Sequence, residues 1–417
     1  MGPKRPDLWD RPNQRAFFKR RDCPADPGGV NLLVSGEQAR LGRMPGPLAD
    51  PLGVLGMDGL GSKDFVLFGD RVPLERELSN HPDKESRAIP EQDHPKLSVV
   101  LVNYRQWDQT ALLTRRLSQG RLVRSGLAEV VIVDNHSGPH RKIRELRRKE
   151  GVSIRRWGAN QGFARAVNEG VRLSRGEWVL LLNPDMTALP GFLEAALSAA
   201  ERLAGEEPRA GIVGLGLLNP EGTQQRSTGP FPTFFGTLWR RFLPRSSRKY
   251  HMGTQGRKTV PWTSGCCIMV RRSCLEDLGG LDGDFFLYYE DVDLCLRAWK
   301  AGWQVWHEPA VCLTHHSPLH RRRVPQHLQT VTRHALMLFA HKHWPAWQKR
   351  ILLWIIRAES WAQAAVTRDP GRRAGLADRL RICSLISAGK IQESRRALEA
   401  LLSASPSPYL REDTRAA

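Results

Sequence analysis

Seven consecutive residues, LSVVLVN at 97–103, carry no charge, a run of the kind that a strand buried on both faces requires. The chain then alternates. An amphipathic stretch at 110–117 precedes a second β run at 129–133, and a charged helical stretch at 140–150 precedes a third at 152–156. A helical stretch at 162–174 leads to a strand at 178–182, and a further helix is expected over 191–203. Strands separated by about 10 to 15 residues of helical pattern form βαβ units, hence a parallel sheet flanked by helices, which by default is a nucleotide-binding architecture. After Gly211 the pattern loosens. GIVGLGLL predicts a strand, 224–258 is basic and turn-rich and reads as a loop, and 328–366 has the texture of amphipathic helices packed on the domain. Three regions result: a mostly irregular Gly, Pro, Asp and Arg-rich extension over 1–95, an α/β domain over 96–320 and a helical region over 321–417.

With 417 residues and 41% hydrophobic content the chain can bury a sizeable core. Its 63 Lys and Arg against 43 Asp and Glu leave a net charge of +20, which calls for anionic partners: nucleotides, phospholipid head groups or nucleic acid. The basic residues are dispersed and no RNA or DNA module is recognisable, so nucleic acid is not expected. Seven cysteines without a CxxC pair suggest neither a disulfide framework nor a zinc site and fit a reducing cytosol. The charged N-terminus has no apolar run behind it, and the longest apolar stretches, 335–340 and 351–356, fall far short of the ~20 residues of a spanning helix. A cytoplasmic protein is expected.

Three acidic clusters fall where open α/β sheets bind their ligands, beyond strand ends or at a helix start. VVIVDNHSG puts Asp134 directly after the second strand, where its carboxylate can accept from a base N–H or a ribose hydroxyl, or simply cap a turn. LLLNPDM ends a strand in Asn183, Pro184 and Asp185. In extended chain Asn183 and Asp185 share a face and could address one Mg²⁺ or Mn²⁺, although these are also common turn residues. FFLYYEDVDLCLRAWKAGW is the most specific. Val292, Cys295, Leu296 and Trp299 recur at helical spacing, so Glu290, Asp291 and Asp293 crowd the first turn of a helix that stops near Gly302. Capping accounts for one acid at a helix start, but not readily for three. Downstream, THHS supplies His315 and His316 at the end of a β run, as candidate metal ligands.

Taken in order, LSVVLVNY, VVIVDNHSG, GANQGFARAVNEGV, WVLLLNPDM, TSGCCIMVRR, GGLDGDFFLYYEDVDLCLRAWKAGW and THHS resemble the family 2 glycosyltransferases of GT-A fold, in the rhamnosyltransferase-like and galactofuranosyltransferase-like branch. The resemblance runs from about residue 97 to residue 316. It implies a Rossmann-like mixed, mostly parallel sheet flanked by helices, and inverting transfer of a sugar from a nucleoside diphosphate to a glycan or lipid-linked acceptor. Tyr104 and Asp134 would hold base and ribose, with Asn160 and Arg165 beside the nucleotide. Asp185 would be the metal-binding acid of the family's DxD motif, whose first position here is Asn183. His315 would complete the metal site, with His316 as fallback. Asp291 would be the general base, Glu290 and Asp293 would orient the acceptor or support the helix, and Trp262 would stack on a sugar or pack in the interior.

The same resemblance places the C-terminal helices near a lipid-linked acceptor. With the basic runs at 321–323 and 341–350 it suggests peripheral attachment to anionic lipid at the inner face of the cytoplasmic membrane. Two other readings compete. A sugar-nucleotide synthesising nucleotidyltransferase would need a Gly-rich phosphate loop after the first strand, yet no glycine follows Asn103 before Gly120. A non-enzymatic polyanion binder would have no use for Asp185 or Asp291.

Overall fold

The computed structural model describes residues 94–240, 256–316 and 326–404, all within one compact unit, Glu85–Ala417. The extension read over 1–95 lies outside the described residues apart from its last two. The first half alternates as the sequence requires: β1 (Leu97–Asn103), α1 (Trp107–Ser118), α2 (Arg121–Arg124), β2 (Ala128–Asp134), α3 (Lys142–Arg147), β3 (Val152–Arg156), α4 (Phe163–Leu173) and β4 (Trp178–Leu182). These four strands are parallel. Leu97 faces Ala128 on one side and Trp178 on the other, and Asn103 faces Asp134. All seven residues of β1 are buried, and its side chains divide by alternation. Leu97, Val99 and Leu101 join the core on one face of the sheet, whereas Val100 and Val102 join the core on the other. This two-sided burial is what a charge-free run demands.

The second half is β5 (Met186–Thr187), α5 (Phe192–Glu206), β6 (Ala210–Leu218), β7 (Gln224–Gln225), β8 (Thr228–Gly229), α6 (Phe234–Trp239), β9 (Lys258–Thr259), β10 (Trp262–Thr263), β11 (Cys267–Arg271), α7 (Arg272–Leu278), α8 (Glu290–Ala301) and β12 (Gln304–His315). The sheet order is β3-β2-β1-β4-β11-β6-β12-β5. Strand β11 runs antiparallel between β4 and β6, whereas β12 lies parallel to β6. The sheet is therefore mixed and mostly parallel. The segment expected as a loop over 224–258 is ordered across its first part, as β7, β8 and α6; residues 241–255 lie outside the described residues. Its order is imposed by tertiary partners that local periodicity does not reveal. Strand β8 pairs with β10, and Trp344 donates its indole N–H to the Pro232 carbonyl at 3.0 Å.

Four helices complete the chain: α9 (Gln326–His343), α10 (Ala346–Val366), α11 (Pro370–Ser387) and α12 (Ile391–Ala404). Helix α9 is embedded in the core: Val331, Leu338 and Phe339 pack in one cluster with Phe285, Val292 and Leu296. Lys342 bridges Asp282 and Asp284 at 2.8 and 2.6 Å, and Arg395 of α12 donates to the Gln161 carbonyl. No helix among the described residues is long and apolar enough to cross a membrane.

His334, fully buried in α9, lies 3.2 Å from the Ser394 hydroxyl of α12. Burial, reinforced by the nearby Arg395 charge, pushes its pKa down to about 4. The unfolded chain binds that proton near pH 6.5 and the folded chain does not, so stability falls as pH drops from about 6.5 toward 4. Urea unfolding at pH 7 and pH 5 is expected to show that His334→Gln shrinks the acid destabilisation by about 2 kcal/mol. An unchanged difference would mean that His334 protonates freely in the folded protein.

Candidate active site

Parallel strands β1, β2 and β4 end together, and β11 starts where β4 ends, with Cys267 facing Leu182. The Asn183 N–H donates to the Cys266 carbonyl at 2.9 Å. One residue earlier, the Gly265 N–H donates to Asp291 Oδ2, also at 2.9 Å. Strand β12 runs parallel to β6 and so delivers His315 to this edge, where it pairs with Met186 in β5. Asp134, Asp185, Asp291 and His315 thus gather along one border of the sheet. Four described residues other than glycine have positive φ: Arg105, His136, Tyr288 and Tyr289. Two follow β1 and β2 and two lead into α8, all around this border. Such conformations cost about 1–3 kcal/mol each and concentrate at functional sites.

Asp134 is fully buried, and both its oxygens are engaged. Oδ1 accepts from the Asn103 side-chain amide and Oδ2 from Arg156 Nε, each at 2.9 Å. Asn103 also donates to the Ser137 hydroxyl, which accepts from the Arg105 N–H at 2.6 Å. This network fixes the turn that carries Tyr104, whose ring lies under the Arg105 guanidinium. Asn160 accepts from the Gly162 N–H at 3.0 Å. Gly162 has φ +82°, and a Cβ there would stand 2.6 Å from the Phe286 carbonyl oxygen, so only glycine lets this loop approach the segment before α8. Arg165 clamps the same segment, donating through Nε to the Gly283 carbonyl at 3.2 Å.

Asp185 and His315 meet. Oδ2 of the carboxylate is 3.4 Å from the imidazole Nε2, and both side chains are about nine-tenths buried. Gln225 of β7 faces the other ring nitrogen with its carbonyl at 3.2 Å and its amide nitrogen at 3.0 Å, so either tautomer finds a partner. When Nδ1–H donates to Gln225, the Nε2 lone pair faces the carboxylate. That is how a second layer of hydrogen bonding orients a metal-binding imidazole. An oxygen and a nitrogen ligand so oriented fit a divalent cation that draws the rest of its shell from phosphate and water. Among the described residues no three His, Cys, Asp or Glu side chains converge on one point. His316 turns away, its Nε2 lying 2.8 Å from the Thr187 hydroxyl, and Asn183 is tied to this edge through its backbone.

The three acids at the start of α8 take different places. Asp291 is buried against the Ser264–Gly265 turn, its second oxygen accepting from the Val292 N–H at 2.9 Å. Glu290 is buried beside it. Asp293 faces inward, accepting from Arg297 Nε and His343 Nε2, each at 2.7 Å. Burial works to raise its pKa, but the His343 hydrogen bond and the Arg297 charge outweigh it and hold the carboxyl below its ordinary range. The acceptor-orienting role proposed for Asp293 is thus met by a carboxylate already spent on pinning α8 to α9. Trp262 requires a correction. It is only 2% exposed and donates its indole N–H to the Pro230 carbonyl at 2.9 Å, so its ring is a packing element and has no open face for a sugar. Sequence reasoning missed Gln225 and His343, neither of which carries a motif; each is recognised only by what it touches.

In an open α/β sheet, ligands bind beyond the carboxyl ends of the strands, the border where these carboxylates and the histidine collect. The family model described as "Glycosyl transferase family 2" matches residues 98–279. N-acetylglucosaminyl-diphospho-decaprenol L-rhamnosyltransferase of Mycobacterium tuberculosis is 30% identical over 281 residues, covering 63% of this chain and 89% of that protein. The low-salt glycan biosynthesis hexosyltransferase Agl10 of Haloferax volcanii is 29% identical over 233 residues, covering 54% of this chain and 69% of that protein. Among solved structures, GalNAc-T7 with UDP, GalNAc and Mn²⁺ aligns with a TM-score of 0.43 at 15% identity, over 59% of this chain and 50% of that one. The chain belongs to glycosyl transferase family 2: it is a glycosyltransferase of rhamnosyltransferase-like type, with the GT-A architecture expected of it.

Removing the Asp293 carboxylate would leave a buried imidazole and guanidinium facing each other. Asp293→Ala is expected to cost roughly 3–5 kcal/mol in thermal or denaturant unfolding at pH 7. Because the folded pKa is depressed, that cost should shrink as pH falls through it. A loss under about 1 kcal/mol would remove the pinning role.

Proposed function

We propose that the protein is an inverting glycosyltransferase that moves a sugar, in the hexose or deoxyhexose class, from a nucleoside diphosphate to a hydroxyl of a lipid-linked glycan. The observation that carries this reading is the hydrogen-bonded path from Asn183 through Cys266 and Gly265 to Asp291, which supports Asp185 and Asp291 facing one donor from two sides. In the reaction Asp291 accepts the proton of the acceptor hydroxyl. The hydroxyl oxygen forms its bond to the anomeric carbon while the bond from that carbon to the diphosphate breaks on the opposite side. Asp185 and His315 would hold Mg²⁺ or Mn²⁺, which when bound offsets charge on the departing diphosphate. Tyr104, Asp134, Asn160 and Arg165 line the nucleotide end, and Glu290 borders the base.

The lipid-linked acceptor class is supported by the mycobacterial relative, an N-acetylglucosaminyl-diphospho-decaprenol L-rhamnosyltransferase. Cell-envelope polysaccharide synthesis follows as the setting, with the protein peripheral on the inner face of the cytoplasmic membrane. The experiment is transfer and donor binding with a panel of nucleoside diphosphate sugars and a prenyl-diphosphate N-acetylglucosamine acceptor. Asp291→Asn is expected to lower transfer by roughly 10³-fold with donor affinity retained. Asp185→Ala is expected to weaken Mn²⁺-dependent donor binding roughly tenfold or more. Full transfer by Asp291→Asn would remove this mechanism.

A further inference from the structure

Helix α10 is apolar on two sides and covered on one. Leu352, Leu353 and Ile356 are buried against the body of the protein, while Trp347, Ile351, Trp354 and Trp361 are 49%, 40%, 67% and 62% exposed. These four recur at intervals of four, three and seven residues, so they form one outward stripe, about 21 Å long from Trp347 to Trp361 at 1.5 Å per residue. Helix α6 extends the stripe: Phe235 is 67% exposed, its ring centroid 6.4 Å from that of Trp347. Soluble proteins rarely leave so continuous an aromatic face in water without a partner for it.

The charges beside the stripe indicate which partner. Arg350 and Arg357 flank it on α10, and the helix's sole acid, Glu359, is paired with Arg333 on another face. Tryptophan has an apolar body and one polar N–H, which suits the boundary between head groups and acyl chains, and arginines bordering such a face attract anionic lipid. A second copy of the chain fits less well, because a two-fold contact would bring the arginines of both stripes together. Position points the same way. The stripe starts at Trp347, four residues after His343, whose ring holds Asp293 in the first turn of α8, the turn that also carries Asp291.

We propose that the aromatic face of α6 and α10 seats the protein on the head-group layer of an anionic bilayer. Helix α10 lies in the plane of the membrane, with its Trp347 end beside the acids of α8. This deepens the lipid-linked acceptor reading, since a sugar carried on a membrane lipid would reach Asp291 from the side on which the protein rests.

The test uses the full chain with vesicles of phosphatidylglycerol and phosphatidylcholine at 3:7, and of phosphatidylcholine alone. Wild-type protein is expected to float with the anionic vesicles. Trp354→Ser/Trp361→Ser should lower the partition coefficient at least tenfold with an unchanged melting temperature, Trp354→Tyr/Trp361→Tyr should restore most of it, and Arg350→Glu/Arg357→Glu should abolish the preference for the anionic vesicles. Transfer to a short-chain, water-soluble prenyl-diphosphate acceptor should be unaffected in the serine variant, which separates docking from catalysis. Equal binding by wild type and the serine variant would overturn the proposal. So would a lipid-free dimer that the serine substitutions dissolve.

Discussion

The backbone hydrogen bond from Gly265 to the Asp291 carboxylate, at 2.9 Å, joins two parts of the chain that would otherwise have no reason to cooperate. It depends on β11 entering the sheet antiparallel between β4 and β6. A purely parallel continuation would have put the start of β11 at the opposite border. Reversed, β11 opens at the end of β4, so the Ser264–Gly265 turn lies beside Asn183 and carries α8 with it. Strands β6 and β12 keep the direction of β4, so β12 ends at the same border with His315. The common direction of β2, β4 and β12 brings Asp134, Asp185 and His315 to one border, and the reversal of β11 adds the turn that holds Asp291 there.

Around that border the acids are held in different ways. Asp134 is held by Arg156 and the Asn103 amide, and Asp293 by Arg297 and His343, contacts that hold turns and helices together. Asp185 and Asp291 are anchored more lightly, by a histidine and by backbone N–H groups, which is the condition under which a carboxylate can still serve a ligand. The C-terminal helices belong to the same arrangement. His343 of α9 holds Asp293, Lys342 holds Asp282 and Asp284, and Arg395 of α12 reaches the carbonyl of Gln161 beside Gly162. The loops at this border are thus braced by helices far away in sequence.

Much of this was legible in the sequence. The charge-free run at 97–103 is buried on both faces as β1, and the helical spacing from Val292 to Trp299 put Glu290, Asp291 and Asp293 in the first turn of α8, where they lie. What sequence could not supply was nonlocal. Gln225 meets His315 across 90 positions and His343 meets Asp293 across 50, and neither belongs to a recurring pattern. Trp262 was open to two readings because a tryptophan before a turn looks the same whether its ring is packed or free; only the Pro230 contact decides. The outward face of α10 was hidden for a related reason. Its buried and exposed apolar residues interleave, so all of them read as one core-facing side until the packing separates the two.

The claim that underlies all of this is that Asp185, His315 and Asp291 address a single donor. Anomalous diffraction at the manganese edge, from crystals grown with Mn²⁺ and a nucleoside diphosphate, tests it most directly. The account predicts one strong peak bonded to both Asp185 Oδ2 and His315 Nε2, with the diphosphate lying between that ion and the Asp291 carboxylate. A peak bonded to neither residue, or a diphosphate bound on the face of the sheet away from Asp291, would contradict it.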